Sequence, residues 1–130
     1  MANAEHLALL KQGRETWNNW RIQNPEISPD LTGAYLVEAD LREANLVLAN
    51  LDRADLREAN LDRADLTGAI LSRADLTGAT LRRADLIGAN LERAFLCQAN
   101  LRGADLTWVD LKWPDLTGAD LTDALTDYPV

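Results

Sequence analysis

The sequence predicts an all-β solenoid closed at one end by an N-terminal α-helical cap, and three regularities carry that prediction. From Leu31 to Leu121 every fifth residue is leucine, nineteen in unbroken succession. Two residues before these leucines stands alanine at sixteen of the nineteen positions, with Pro29, Val109 and Pro114 as the exceptions. The residue just before each leucine is Asp ten times and Asn five times, with Tyr35, Ile70, Thr80 and Phe95 in the other places. The unit is A-(D/N)-L-x-x, as in Ala54-Asp55-Leu56-Arg57-Glu58.

A five-residue period suits neither regular element. On an α-helix, at about 100° per residue, a step of five advances the leucine by about 140° and scatters the set around the cylinder. On a straight strand an odd period turns successive leucines to opposite faces. Within one unit, however, Ala and Leu are two residues apart and share a strand face. A short extended segment followed by a corner in every unit satisfies both facts. The chain then winds into a solenoid with Leu and Ala inside and the other residues of each unit outside.

Glycine marks the corners. Gly33, Gly68, Gly78, Gly88, Gly103 and Gly118 each lie two residues after a repeat leucine. In Leu66-Thr67-Gly68-Ala69 the glycine takes the third place of a four-residue turn, which requires φ > 0 in a type II turn. Other units carry Arg, Glu, Gln or Trp there, so more than one turn type is expected.

These in-register units resemble those of the pentapeptide-repeat family, whose repeat is written A-(D/N)-L-x-x, over roughly residues 29–125. The resemblance implies a right-handed quadrilateral β-helix with four units per coil. On that basis the chain makes about 4–5 coils, and with about 4.8 Å between stacked strands the body is about 23 Å tall.

A solenoid exposes strand edges and apolar core at both ends. Residues 3–22 read as a single cap helix, with Asn3 as N-cap and Glu5 in the first turn. Leu7, Leu10, Trp17 and Trp20 form its apolar face. Gly13 weakens the middle by about 1 kcal/mol relative to Ala. Asn24-Pro25 and Ser28-Pro29 end it. Residues 1–28 are thus cap and linker, 29–125 the repeat body, and 126–130 a tail expected to fold over the far end. Near that end Trp108 and Trp113 take outward positions, and the register breaks after Ala124.

Composition narrows the function classes. The chain has 130 residues, 21 of them acidic and 13 basic, for a net charge of −8. Cys97, the sole cysteine, excludes an intrachain disulfide and multi-cysteine metal motifs, and reads as a bystander thiol. His6, the sole histidine, excludes a paired-histidine zinc site and reads as a solvated residue of the first helical turn. No charge-free run approaches the length of a bilayer span. The N-terminal MANAEHLALLKQGR resembles neither a signal nor a transit peptide, so a cytoplasmic protein is expected. The acidic balance disfavours direct binding to nucleic acid or anionic membrane. The sequence holds no Gly-rich phosphate loop, no Ser/His/Asp arrangement and no metal-ligand spacing. A core filled by its own Leu and Ala leaves no water-excluding pocket, so no enzymatic activity, cofactor or metal is expected.

Three surface constellations remain. With twenty residues per coil, Asp65, Asp85 and Asp105 stack, as do Asp55 and Asp75. Such columns can present an anionic face or serve as local acceptors for backbone N–H groups. The structural role is favoured, because Asn takes the same slot. Arg53, Arg73 and Arg93 stack in another column, either as a basic ladder for an anionic partner or as surface ion pairs with neighbouring acids. Residues 105–130 hold six acids and one base beside Trp108 and Trp113, and exposed aromatics rimmed by charge mark an interface.

The expected function is that of a non-enzymatic scaffold presenting these columns to an unidentified protein partner, with self-association at the C-terminal end as a further option. The family resemblance implies an alternative. Some members mimic duplex DNA and act on DNA gyrase or other topoisomerases. The mixing of Arg with Asp in the middle coils departs from that pattern.

Overall fold

The computed structural model describes residues 1–127. Sixteen parallel bridges tie the chain together, each joining a residue to the one twenty positions later, from Asp30–Asn50 to Asp105–Leu125. A coil is therefore twenty residues, and its four units form four sides. Face 1 stacks leucines 31, 51, 71, 91 and 111, and face 2 leucines 36, 56, 76, 96 and 116. Face 3 stacks leucines 41, 61, 81, 101 and 121, and face 4 leucines 46, 66, 86 and 106. Each face includes the two residues on either side of its leucines. Only the residue before each leucine forms the bridge, so every side is a very short extended segment between corners.

Three bonds per unit link the coils. The Leu71 N–H donates to the Asn90 carbonyl at 2.7 Å, and the Arg73 N–H to Glu92 at 2.9 Å. The Asp75 N–H donates in the other direction, to Ala54, at 2.9 Å. The repeat leucines from Leu31 to Leu106 are all buried, and so are the alanines between them apart from Ala39. Between Leu111 and Leu121 burial falls to partial, which opens the C-terminal end of the core.

One turn serves every corner, which corrects the expectation of several types. The residue two after each repeat leucine has φ between +52° and +71°, in thirteen non-glycine and six glycine positions alike. The N–H of the following residue donates to the leucine carbonyl at 2.9–3.3 Å, except at Pro114, which has no N–H. Positive φ confined to the third residue is the type II signature. Bonds to the next coil on either side of the corner hold Arg and Glu in a conformation that glycine prefers. Glycine answers a second need. A Cβ on Gly78 would stand 2.4 Å from the Glu58 carboxylate, and one on Gly118 would stand 2.4 Å from the Gln98 amide. A long side chain thus folds down onto the bare corner of the coil below.

The cap is two helices rather than one: α1, Ala4–Lys11, and α2, Arg14–Gln23. Gly13, at φ +111°, is the break, so its effect exceeds a weakened helix middle. Asn3 is the N-cap, its side chain accepting from the His6 N–H. Trp17 is fully buried and Leu10 nearly so, while Leu7 and Trp20 are half-buried. At the far end the ladder continues one residue past Ala124, since the Leu106 N–H donates to the Leu125 carbonyl at 2.8 Å. The expected covering tail falls, at residues 128–130, outside the described residues. Among the described residues no helix is long and apolar enough to cross a membrane.

Candidate protein-interaction surface

The Asp and Asn residues before the leucines are committed to the fold. In all fifteen cases the side-chain Oδ1 accepts the backbone N–H of the residue two ahead, or sits within 3.3 Å of it at the longest. Where that residue is threonine, its hydroxyl donates to the same oxygen, as Thr77 does to Asp75 at 2.6 Å. Where it is Arg42 or Arg57, the guanidinium grips both oxygens of Asp40 or Asp55, at 2.7 and 2.8 Å. The side-chain and backbone bonds from Arg42 pull the Asp40 carboxyl down to about 2. An acceptor is what this position requires, and Asn supplies one as well as Asp does.

Charge nevertheless divides sharply by face. Face 4, continued by Thr126 in the place of the next leucine, carries Asp65, Asp85, Asp105 and Asp127 and no base. Face 2 carries five acids against Arg57 alone. Faces 1 and 3 each balance acids and bases, as does the cap, so the whole net charge of −8 lies on two opposite faces.

The structure brings together part of the predicted surface. Arg53, Arg73, Arg93 and Trp113 form one corner column on face 1. The Arg93 guanidinium lies over the Trp113 ring, 5.2 Å from its centroid. Arg53 reaches Asp52 at 3.5 Å, while Arg73 has no ion pair among the described residues. Trp108 sits on the neighbouring corner, and its N–H donates to Asp127 at 2.6 Å. Both tryptophans are about three-quarters exposed, at 75% and 70%. Cys97 is half-buried, with the Asp115 carboxylate hydrogen-bonded beside it. Its thiol is pushed up by that bond and by burial, away from the thiolate form.

The model of the pentapeptide-repeat family matches residues 30–61, 44–83, 81–118 and 104–125, in eight copies. This chain belongs to the pentapeptide-repeat family. Among solved structures, a pentapeptide-repeat protein of the Arabidopsis thaliana thylakoid lumen is 34% identical with a TM-score of 0.56, over 78% of this chain and 68% of that one. One from Nostoc PCC 7120 is 36% identical with a TM-score of 0.50, over 65% of this chain and 62% of that one. A comparison with curated proteins found no significant match.

In this pentapeptide-repeat protein the cap works through polar groups that periodicity did not reveal. Trp17 Nε1 donates to the Asn45 carbonyl at 2.8 Å. The Asn18 side chain accepts from the Asn45 N–H and donates to the Glu43 carbonyl, at 2.8 and 3.1 Å. Arg21 is buried and donates to the Ile27 and Val47 carbonyls at 2.6 and 2.8 Å. Desolvation lowers the pKa of its guanidinium. His6, expected in solvent, instead accepts the Asp30 N–H through Nδ1 at 3.0 Å and packs against Trp20. These side chains stand in for a missing coil, satisfying part of the strand edge at faces 1, 3 and 4.

Proposed function

We propose that this pentapeptide-repeat protein is a non-enzymatic scaffold for protein–protein interaction. The observation that carries the reading is the rigid partition of its outer surface. Opposite faces 2 and 4 are acidic, while faces 1 and 3 interleave arginine with acid. Positions on adjacent coils keep fixed spacing because every corner except the one at Pro114, and most of the preceding slots, are hydrogen-bonded. Such columns suit recognition of an extended partner surface. We take the hand of the coil as right, as the family resemblance implies.

The exposed contact we favour is Trp113 with Arg93, together with Trp108. Aromatic and arginine side chains dominate binding energy at interfaces. A second copy of the chain is the simplest occupant. Leu111, Leu116 and Leu121 are only half-buried at this end, which leaves apolar surface beside the two tryptophans. Light scattering on wild type and on Trp108→Ala/Trp113→Ala tests this. Loss of a dimer in the variant supports the contact, and a monomer in both removes it. For a different protein partner, capture that survives in wild type and disappears in the same variant is the supporting result.

A DNA-mimic action on gyrase is less well supported. It calls for acid around the body, and the arginines of faces 1 and 3 interrupt it. Gyrase supercoiling is expected to be unchanged by micromolar protein.

A further inference from the structure

We propose that face 3 holds a docking site for a short acidic peptide segment, built on Arg63 and Arg83. The proposal deepens the scaffold reading by assigning one face and the chemistry of its partner.

Face 3 is indented by a cleft of about 640 Å³ whose lining includes five arginines, at 42, 63, 82, 83 and 102, and three acids, Glu43, Asp62 and Asp123. Of the acids on this face, all but Asp123 are engaged by a basic side chain. Arg42 is held by Asp40 at 2.7 Å, Arg82 by Asp62 at 2.6 Å and Arg102 by Asp120 at 3.8 Å. Glu43 is taken by Arg14 of the cap at 3.1 Å. Burial alone would push the Asp62 carboxyl up, but the bonds from Arg82 outweigh it and hold it below the ordinary range. Arg63 and Arg83 are left without an ion pair among the described residues.

These two arginines are stacked. The Arg63 N–H donates to the Arg82 carbonyl and the Arg83 N–H to the Arg102 carbonyl, both at 2.9 Å, so they occupy the same corner of consecutive coils. About 4.8 Å separates such levels. Both residues have positive φ, +59° and +57°, fixed by the turn, so their side chains leave the backbone in the same direction. Two unpaired like charges are thereby held side by side at the wall of a cleft. Below them stands Gly103. The Arg83 Cγ lies only 3.3 Å from where a Cβ at that position would be, so the bare corner leaves room beneath the arginine.

The column also defines the length of the ligand. Reading down the corner, the residues are Glu43, Arg63, Arg83, Gly103 and Asp123. Acid at both ends repels a long polyanion and favours two or three adjacent carboxylates between neutral flanks. Paired guanidinium forks suit carboxylate oxygens in this geometry. A duplex or single strand, with charge spread along its length, would meet Glu43 and Asp123 as well as acidic faces 2 and 4.

The test uses the full chain and a fluorescein-labelled peptide carrying three consecutive glutamates between Gly-Ser flanks. Its glutamine counterpart and a single-stranded oligonucleotide are the comparison probes. Asn is the replacement of choice, because it tolerates positive φ and keeps the corner folded, as circular dichroism would verify. Arg63→Asn/Arg83→Asn should weaken glutamate-peptide binding at least tenfold. Lys11→Gln/Arg57→Gln, on the cap and on face 2 with the same change in net charge, should weaken it less than twofold. No binding of the glutamate peptide, equal losses in the two double variants, or tighter binding of the oligonucleotide would each overturn the proposal. The scaffold reading is tested separately at Trp108 and Trp113. A protein that keeps that contact but ignores the peptide refutes the face 3 site alone.

Discussion

Trp17 and Asn45 join the cap to the first coil through one hydrogen bond, from the indole Nε1 to the backbone carbonyl at 2.8 Å. The indole is fully buried, so both its apolar area and its N–H are in use. Trp17→Phe keeps much of the area and leaves the carbonyl unsatisfied, and a loss of about 1–3 kcal/mol is expected. Trp17→Ala adds a cavity and should cost about 3–5 kcal/mol. Urea unfolding followed by circular dichroism measures both. A Trp17→Phe variant as stable as wild type would mean the bond contributes nothing to holding the cap.

Asp85 separates the structural from the functional reading of the acidic columns. Its Oδ1 accepts the Ile87 N–H at 3.1 Å, and it stands between Asp65 and Asp105 on face 4. Asp85→Asn retains the acceptor and removes repulsion, so stability should be unchanged or rise by up to about 1 kcal/mol. Asp85→Leu should lose about 0.5–1.5 kcal/mol. Ile70 and Phe95 occupy the same slot without an acceptor, so the body tolerates that loss. Thermal melts of the two variants give the order, and a reversed order would contradict a structural acceptor.

Arg73 sits at a corner with φ +57° and no ion pair among the described residues. A β-branched residue fits that conformation worst, so Arg73→Val should lose at least about 1 kcal/mol. For Arg73→Gly, relief of the left-handed strain opposes the greater entropy of the unfolded chain, and the change should stay within about 1 kcal/mol. Equal melting temperatures for the two variants would show that the corner is not strained.

The body was legible because its rule is local and repeated. Leu at every fifth place, Ala two before and an acceptor between them specify interior, corner and slot at once. The corner type was less legible. Glycine marks only six of nineteen corners, and the bonds that force Glu58 or Arg73 to positive φ come from other coils. The cap was legible as an apolar stripe through Leu10 and Trp17. The parts played by Asn18, Arg21 and His6 were not, because their partners are backbone groups of residues 24–27 positions distant or of the linker, and no repeat carries that information. Among surface residues, the Arg53–Arg73–Arg93 column followed from the coil length. The division between paired and unpaired arginines on face 3 depends on which neighbour each side chain reaches, as with Asp62 and Arg82 twenty residues apart.

Acid should destabilise the protein mainly below pH 4. Arg42 bonds and charge hold the Asp40 carboxyl at about 2, below its ordinary 3.8. Bonds from Thr32, Arg57 and Thr122 lower Asp30, Asp55 and Asp120 in the same direction. A carboxyl with a lower pKa in the folded state is protonated first in the unfolded chain. Its contribution is therefore complete above about pH 4 and disappears as pH falls through the folded value. Because Asp40 is well exposed, with 61% of its side chain accessible, solvent screening keeps its share small. Urea midpoints at pH 5, 4, 3 and 2 should be level down to 4 and then fall. Arg42→Gln should return the Asp40 carboxyl toward its ordinary value, seen by carbon-13 chemical-shift titration, and should reduce the drop between pH 4 and 2. An unchanged Asp40 titration in that variant would mean that the backbone N–H alone sets its acidity.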